Sequence, residues 1–485
     1  MYMRRVLNAA TLLYLLVPNL LFLAGWVQPV VAWVVGILLL GAGAMVWLQS
    51  PVEEERPWRA ADVAGLVLLA LLCWGWVESI GLNGHVIQHH DFIVRNAIYD
   101  TLVRENWPIA GAGGSYFSYY LAFWLVPAGL SKVIPGVDAG CWLYAWAYVG
   151  VLLAALQLYV RWRWRAVVFV VLLALVGDVS IWYRHYAIPL AAKCCGVESP
   201  CTQWLVEHEV WFSFPYTDSW THLRNMFNHI IPTWVLLSLL LARALNPRHE
   251  LWAAALVVLC SPLAALGTLP WLAWRILPQL RRQGWGVLLN APTLVACLYL
   301  LLPGLYLASN TGSLLFLSPC GIAHTSYASI GGAGWLVVYA VAAASVLLPA
   351  WWLLPRGYRR TGLFRSCCVL ALLFPLLWVG TQYNELAMKA SGVMWFGLVW
   401  LYTQAIWHTG CRHVGRWVVF LLLSAPMAGV CIVGVCLKSW SCDPSAVQTH
   451  IRGEWQGHLN HPQDPLYRSF RSQQPTTLLF RSPGA

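Results

Sequence analysis

Thirteen predominantly apolar runs divide the chain, at residues 6–24, 30–48, 63–80, 116–134, 139–160, 166–182, 226–245, 251–274, 287–307, 333–354, 363–380, 391–407 and 415–437. Each is 17 to 24 residues long. At 1.5 Å per residue, helices of this length match the roughly 30 Å hydrocarbon layer of a bilayer, whereas a barrel strand needs only about 9–11 residues. Backbone polar groups facing lipid must be satisfied within their own segment, so the runs predict an all-α, polytopic transmembrane helical bundle. The same pattern excludes a soluble domain: 59% of the 485 residues are hydrophobic and 10% charged, more apolar surface than one water-facing core needs.

The loops between the runs carry the topology. Arg4-Arg5, Arg56 with Arg59, Arg161 to Arg165, Arg248, Arg275 with Arg281 and Arg282, Arg356 with Arg359 and Arg360, and Arg412 with Arg416 form basic clusters, and an excess of arginine marks the cytoplasmic side. Two clusters flanking a single crossing cannot share a side, so two runs must fail to cross. Run 116–134 opens on Tyr116-Phe-Ser-Tyr-Tyr120 and reads as interrupted by Pro127 and Gly129, as expected of an interfacial or re-entrant segment. Run 251–274 is interrupted at Ser261-Pro262 and Leu269-Pro270, which predicts halves too short to span. About eleven crossings remain. Loops 81–115, 183–225, 308–332 and 381–390 and the tail 439–485 then share the opposite, extracytoplasmic side of a membrane domain at 1–438. The basic start followed by Val6 to Ala24 lacks a small-residue cleavage site, so it reads as a retained first span with a cytoplasmic N-terminus.

The net charge of +11 follows from these arginines and predicts attraction to anionic lipid in the bilayer rather than nucleic-acid binding. Of the 14 cysteines, Cys73, Cys260, Cys297 and Cys431 lie inside apolar runs, where cysteine packs as a small hydrophobe. Cys194, Cys195 and Cys201 cluster in an outer loop, where an oxidising compartment would allow a disulfide. The pattern requires no cofactor.

Chemistry-bearing residues concentrate in the outer loops. Asp91, Arg95, Ile98 and Leu102 share one helical face by their spacing, with Asp100, Thr101, Arg104 and Glu105 on the other. Asp91, with His89, His90 and Arg95 nearby, has two readings: a partly desolvated general base, or a cap accepting backbone N–H groups. His85, His89 and His90 could also contribute with Asp91 to a divalent-metal site, against the reading of ordinary interfacial histidines. In the second outer loop His222, Asn225 and His229 recur at three and four residues, beside Arg224, as a polar stripe entering an apolar span. It suits a polar ligand at the membrane surface or, equally, neighbouring loop backbone. In the fourth, Asn384, Glu385 and Lys389 stand at the membrane boundary, Glu385 and Lys389 four apart. Lys389 would hold a phosphate as a point charge or simply snorkel.

Four stretches carry a resemblance. Asp91-Phe-Ile-Val-Arg-Asn-Ala-Ile-Tyr-Asp-Thr-Leu-Val with Asn106-Trp-Pro108, Tyr119-Tyr-Leu-Ala-Phe-Trp-Leu-Val-Pro-Ala128, Met226-Phe-Asn-His-Ile-Ile-Pro-Thr-Trp234 and Tyr383-Asn-Glu-Leu-Ala-Met-Lys-Ala-Ser391 resemble the polytopic C-type (GT-C) glycosyltransferases, in particular their uncharacterised bacterial branch. The resemblance spans about residues 63–438. It implies transfer of a sugar from a polyprenyl-phosphate donor to an extracytoplasmic acceptor, a glycan, lipid or protein, at a bacterial inner membrane. Asp91 would be the catalytic carboxylate, with Arg95, Lys389 or Arg224 stabilising the leaving phosphate. The chain departs from the usual pattern where Glu385 and Lys389 replace Asp and Arg: charge is kept, the bidentate fork is lost. No acidic pair adjoins Asp91. Of the competing classes, a transporter or lipid flippase would line a mid-membrane path with polar groups; most spans here lack central charges, and no internal repeat is evident. A non-catalytic assembly protein on the same fold is the third reading.

Overall fold

The computed structural model describes residues 2–51, 57–83, 86, 88, 92–109, 116–177, 216–309, 318–319, 331–379, 384–425, 471–472 and 479–481. The described chain is helical throughout: α1 Tyr2–Trp26, α2 Pro29–Leu48, α3 Ala60–Glu78, α4 Phe92–Arg104, α5 Ala122–Val133, α6 Ala139–Trp162, α7 Trp164–Leu175, α8 Ser219–Leu241, α9 Glu250–Ala255, α10 Pro262–Gln283, α11 Ala291–Ala308, α12 Gly331–Leu353, α13 Arg356–Arg359, α14 Gly362–Leu372, α15 Glu385–Thr409 and α16 Val414–Ser424. Strand geometry is limited to two-residue pairings, β1 Tyr116–Phe117 with β4 Arg471–Ser472 and β2 Ser318–Pro319 with β3 Leu377–Trp378, both antiparallel.

Five of these helices, α1, α2, α3, α6 and α11, are long and apolar enough to cross a bilayer. Their outer faces are apolar too. On α3, Val63, Val67, Leu71 and Trp74 are exposed while Gly65, Leu69, Cys73 and Trp76 are buried; on α11, Leu294, Leu298, Leu301 and Leu305 face out while Tyr299, Leu302 and Tyr306 face in. Apolar stripes three and four residues apart on the outside suit lipid, not water.

Helices α8 and α15 are different, being buried nearly all round. They run in parallel at the bundle centre. His222 lies against Met388, Ile230 against Gly392, and Trp234 against Phe396. A Cβ on Gly392 would collide with Ile230 and come within 3.3 Å of the His222 ring, so this glycine permits the close approach.

Side-chain contacts define the bundle's two ends. At one, Trp47 donates to the Arg5 carbonyl, Arg161 to the Ala242 carbonyl, Arg165 to Gln404, and Arg248 to Gln283. At the other, α4, α5 and the starts of α6, α8 and α15 gather around residues 116–120. The segment 250–283 leaves the first end and returns to it. Glu250 at its start is paired by the Arg275 guanidinium, and Gln283 accepts from Arg248 at 2.6 Å. Run 251–274 is therefore part of a closed hairpin whose irregular tip, residues 256–261, sits inside the protein. One expectation fails here. The break at Ser261-Pro262 is present, but Leu269-Pro270 interrupts nothing, and α10 is continuous over 22 residues. Pro270 is half-buried and its carbonyl accepts from Ser366 on α14; neighbouring helices accommodate proline in this way. In run 116–134 the expected interruption at Pro127 and Gly129 is absent, both lying within a continuous α5, and the helix is only 12 residues or about 18 Å, too short to span.

One group of polar side chains deep in the bundle is closed on itself. Gln157 donates to Asn8 and Thr11, Asn8 to the Ala244 carbonyl, and Asn19 to the Leu15 and Leu256 carbonyls while accepting from Tyr299. Such interhelical hydrogen bonds act as glue. The described pieces of the tail return to the second end: Phe480 is buried beside Tyr306, and the backbones of residues 479–481 bond to Trp26 and Gln28.

Candidate functional site

The site is built where α4, the 116–121 segment, α8, the hairpin tip and α15 meet. Asn384 opens α15: its Oδ1 accepts from the Ala387 N–H at 3.1 Å and its amide donates to the Pro375 carbonyl. One turn on, Lys389 points inward. Its side chain is 6% exposed and its Nζ lies 2.6 Å from the Glu385 carboxylate. The same Nζ donates to the Tyr120 hydroxyl at 3.3 Å and stands 5.0 Å from that ring's centre. A buried ammonium is costly unless compensated, and here a carboxylate and an aromatic face compensate it.

Tyr120 connects Lys389 to α8, its ring centre 4.6 Å from that of His229 and 3.6 Å from that of Tyr119. Burial pushes the Tyr120 phenol well up, Glu385 adds to the effect, and Tyr119 and Arg95 oppose it. Tyr120 is therefore neutral at physiological pH and accepts from Lys389. Its segment is held by Tyr306 of α11, whose hydroxyl accepts from the Tyr119 N–H and donates to the Phe117 carbonyl, while Ser118 donates to the Tyr306 carbonyl.

On α8, Asp218 caps the helix by accepting from Thr221. His222 places one ring nitrogen 2.9 Å from the Asp218 carbonyl and the other 2.8 Å from that of Met388. A neutral ring donates to one of these, an imidazolium to both. The helix kinks at Met226 (φ −139°, ψ 34°), and Pro232 removes the N–H that would serve the Asn228 carbonyl. Around this kink several polar atoms lack a hydrogen-bond partner among the described residues: both amide atoms of Asn228, His229 Nδ1, Asn225 Oδ1 and Arg224 Nε. Asn228 is 1% exposed. Unpaired buried polar atoms each cost ~1–3 kcal/mol, so such a cluster calls for a polar ligand or water. His229 also lies against the Cys260 backbone at the hairpin tip and feels the charges of Lys389 and Arg95.

The sequence-predicted residues are thus partly assembled. Arg95, His222, His229, Asn384, Glu385 and Lys389 come together from three helices. Arg224 and Asn225 stay half-buried on α8 without polar contact to Lys389. The predicted α4 face is present, with Ile98 and Leu102 buried and Arg104 paired outward with Asp100 at 3.0 Å. His85, His89, His90 and Asp91 lie outside the described residues, as do Cys194, Cys195 and Cys201. Among the described residues no three His, Cys, Asp or Glu side chains are grouped as metal ligands. Tyr120, Tyr119, Asn228 and Cys260 join the site without having been singled out for it. The Tyr-Tyr pair next to a non-crossing helix was the available signal; nothing in the sequence pairs Tyr120 with a lysine 269 residues away.

Comparison of the chain with known protein families, with curated proteins and with solved structures gives no match.

Proposed function

We propose that the chain is a membrane-embedded glycosyltransferase using a polyprenyl-phosphate-linked sugar. The observation that carries this reading is the delivery of Lys389 and Arg95, from separate elements, to one buried polar cluster at the bundle end opposite the arginine-rich loops. Two cations beside neutral Tyr120 and uncommitted amide and imidazole groups suit the phosphate and hydroxyls of a lipid-linked sugar. Apolar outer helix faces suit its lipid tail.

In the proposed inverting step, an acceptor hydroxyl oxygen attacks the anomeric carbon and its proton passes to Asp91. The bond from that carbon to the phosphate oxygen breaks, and the electron pair leaves with the phosphate, whose added charge Lys389 and Arg95 stabilise. The proposed topology has about eleven crossings, one for each apolar run other than 116–134 and 251–274, with the arginine end cytoplasmic and the site extracytoplasmic in a bacterial inner membrane. The contacts that gather the basic loops at one end support this orientation. The closed hydrogen bonding of Asn8, Gln157, Asn19 and Tyr299 weighs against a transport path through the bundle centre.

The test compares envelope glycans by mass spectrometry in a deletion strain carrying wild type, Asp91→Asn or Lys389→Met at equal membrane levels. A glycan lost on deletion and restored only by wild type is expected. Full restoration by Asp91→Asn removes the general base; an unchanged glycan profile with loss of solute uptake replaces the enzyme with a carrier.

A further inference from the structure

Arginine–indole stacking gathers at one end of this bundle. At the site end the cations meet carboxylates or carbonyls, and the lysines also meet rings: Arg104 pairs with Asp100, Lys389 with Glu385 under the Tyr120 ring, and Lys132 donates to the Glu105 carbonyl beside Trp107. At the opposite end arginines lie over indoles. Arg359 stands 4.3 Å from the Trp351 ring centre, Arg416 5.8 Å from Trp352, Arg365 5.0 Å from Trp274 and Arg165 5.3 Å from Trp407. Among the described residues the acidic groups at this end are Asp62, which caps α3 by accepting from the Arg59 N–H, and Glu250, held by Arg275. Neither reaches Arg359 or Arg416.

Stacking occupies the face of a guanidinium and leaves its in-plane N–H donors pointing outward, the geometry that matches a phosphate bidentately. Trp351 and Trp352 are neighbours at the end of α12, so Arg359 from α13 and Arg416 from α16 are brought to adjacent indoles. The indoles are 60% and 43% exposed, although this end of α12 leads out of a lipid-facing bundle. Arg356 and Arg360, both exposed, flank the pair. Arg359 has its Nε committed to the Leu354 carbonyl at 2.6 Å, which leaves its Nη donors; exposed aromatic surface beside these and beside the exposed Arg416 fits one occupant, in which apolar chains and an anionic head are joined.

We propose that Trp351, Trp352, Arg359 and Arg416 form a binding site for the headgroup of an anionic phospholipid, independent of the glycosyl-transfer site at the other end. The lipid phosphate bridges the two guanidinium edges, and the indoles pack along its glycerol and upper acyl chains. Each arginine near the surface contributes about a fivefold preference for the anionic lipid.

The experiment is native mass spectrometry of the purified protein in mild detergent with equal phosphatidylglycerol and phosphatidylcholine. Wild type is expected to retain phosphatidylglycerol selectively, and Arg359→Gln/Arg416→Gln to lose about 25-fold in its retention. Arg104→Gln, at the other end, is the control and should behave as wild type. Because the selectivity is also read on the unaltered protein, the outcome does not depend on the variant folding. Equal retention of the two lipids by wild type would overturn the site, as would equal loss in the Arg104 control. Displacement of the bound lipid by millimolar inorganic phosphate would overturn the lipid assignment.

Discussion

Replacing Glu385 by Gln should cost more stability than replacing Lys389 by Met, although each removes the same 2.6 Å contact. The asymmetry comes from burial, since the Lys389 side chain is 6% exposed and that of Glu385 32%. Removing one partner of a buried pair costs ~3–5 kcal/mol, because an uncompensated charge stays behind. In Glu385→Gln that charge is Lys389, and it keeps the Tyr120 hydroxyl at 3.3 Å and the ring face at 5.0 Å. Such a cation–π contact contributes ~0.5–2 kcal/mol, leaving an expected loss of about 2–3 kcal/mol. In Lys389→Met the remaining charge is Glu385, which turns to solvent from the first turn of α15, where a carboxylate is favoured by the helix dipole. Met fills the cavity of the lysine stem, so the loss should be ~0–1 kcal/mol. Thermal unfolding of the purified protein in a single detergent, followed by tryptophan fluorescence, measures both variants. The double variant should return to the level of Lys389→Met, with the difference reporting the coupling. If Lys389→Met proves as destabilising as Glu385→Gln, then Lys389 is not a buried cation dependent on Glu385, and the charge arrangement drawn for the site is wrong.

The hairpin gives a second cycle: Glu250→Leu and Arg275→Met should each cost ~3–5 kcal/mol while the pair together costs far less, since Glu250 is fully buried under a forked guanidinium; additive losses in thermal unfolding would show that the ion pair does not close the hairpin. Phe480→Ala removes the buried anchor of the tail, a loss of about 3 kcal/mol, so trypsin cleavage after Arg481 should accelerate by about 100-fold; unchanged cleavage refutes the docking. Tyr99 donates to the Ala139 carbonyl at 2.6 Å, and burial is the main cause that pushes its phenol up to about 12. The raised value means that its contribution is complete below the ordinary tyrosine range near 10 and is lost as pH rises toward 12. Melts between pH 9 and 11.5 should therefore show an alkaline loss of stability that Tyr99→Phe diminishes.

Much of the architecture was legible because lipid imposes one requirement on every segment. Each apolar run contains helix in the described residues, and of the two runs that counting arginines sets aside, 116–134 holds only the 12-residue α5 while 251–274 turns back as a hairpin. Proline was the weak signal. Pro262 begins α10 after the irregular tip, whereas Pro270 and Pro127 sit within continuous helices, and only the surrounding helices decide which outcome occurs. Spacing also placed Ile98 and Leu102 on the buried face of α4, but periodicity says which way a residue points and not what it meets. Hence His229 and Lys389 were recognised while Tyr120, the residue between them, was not. The antiparallel register of Phe117 with Arg471 carries no sequence signal at all, because two-residue strands have no period.

The unrecognised parts share a physical cause. The Met226 kink, the irregular tip ending at Cys260 and Ser261, and the Asn384 cap that starts α15 all lie around His229 and Lys389, so the site occupies the place where this bundle's helices are discontinuous. Non-helical backbone beside lipid leaves polar groups unsatisfied, and a membrane protein retains it only where other protein covers it or a polar ligand uses it. Covering alone does not account for this place, because the side chains of Asn225, Asn228 and His229 keep unpaired atoms there, whereas the equally deep Asn8, Gln157 and Asn19 are paired. Local rules of helix continuity fail where function needs them to, and here they fail around the buried lysine.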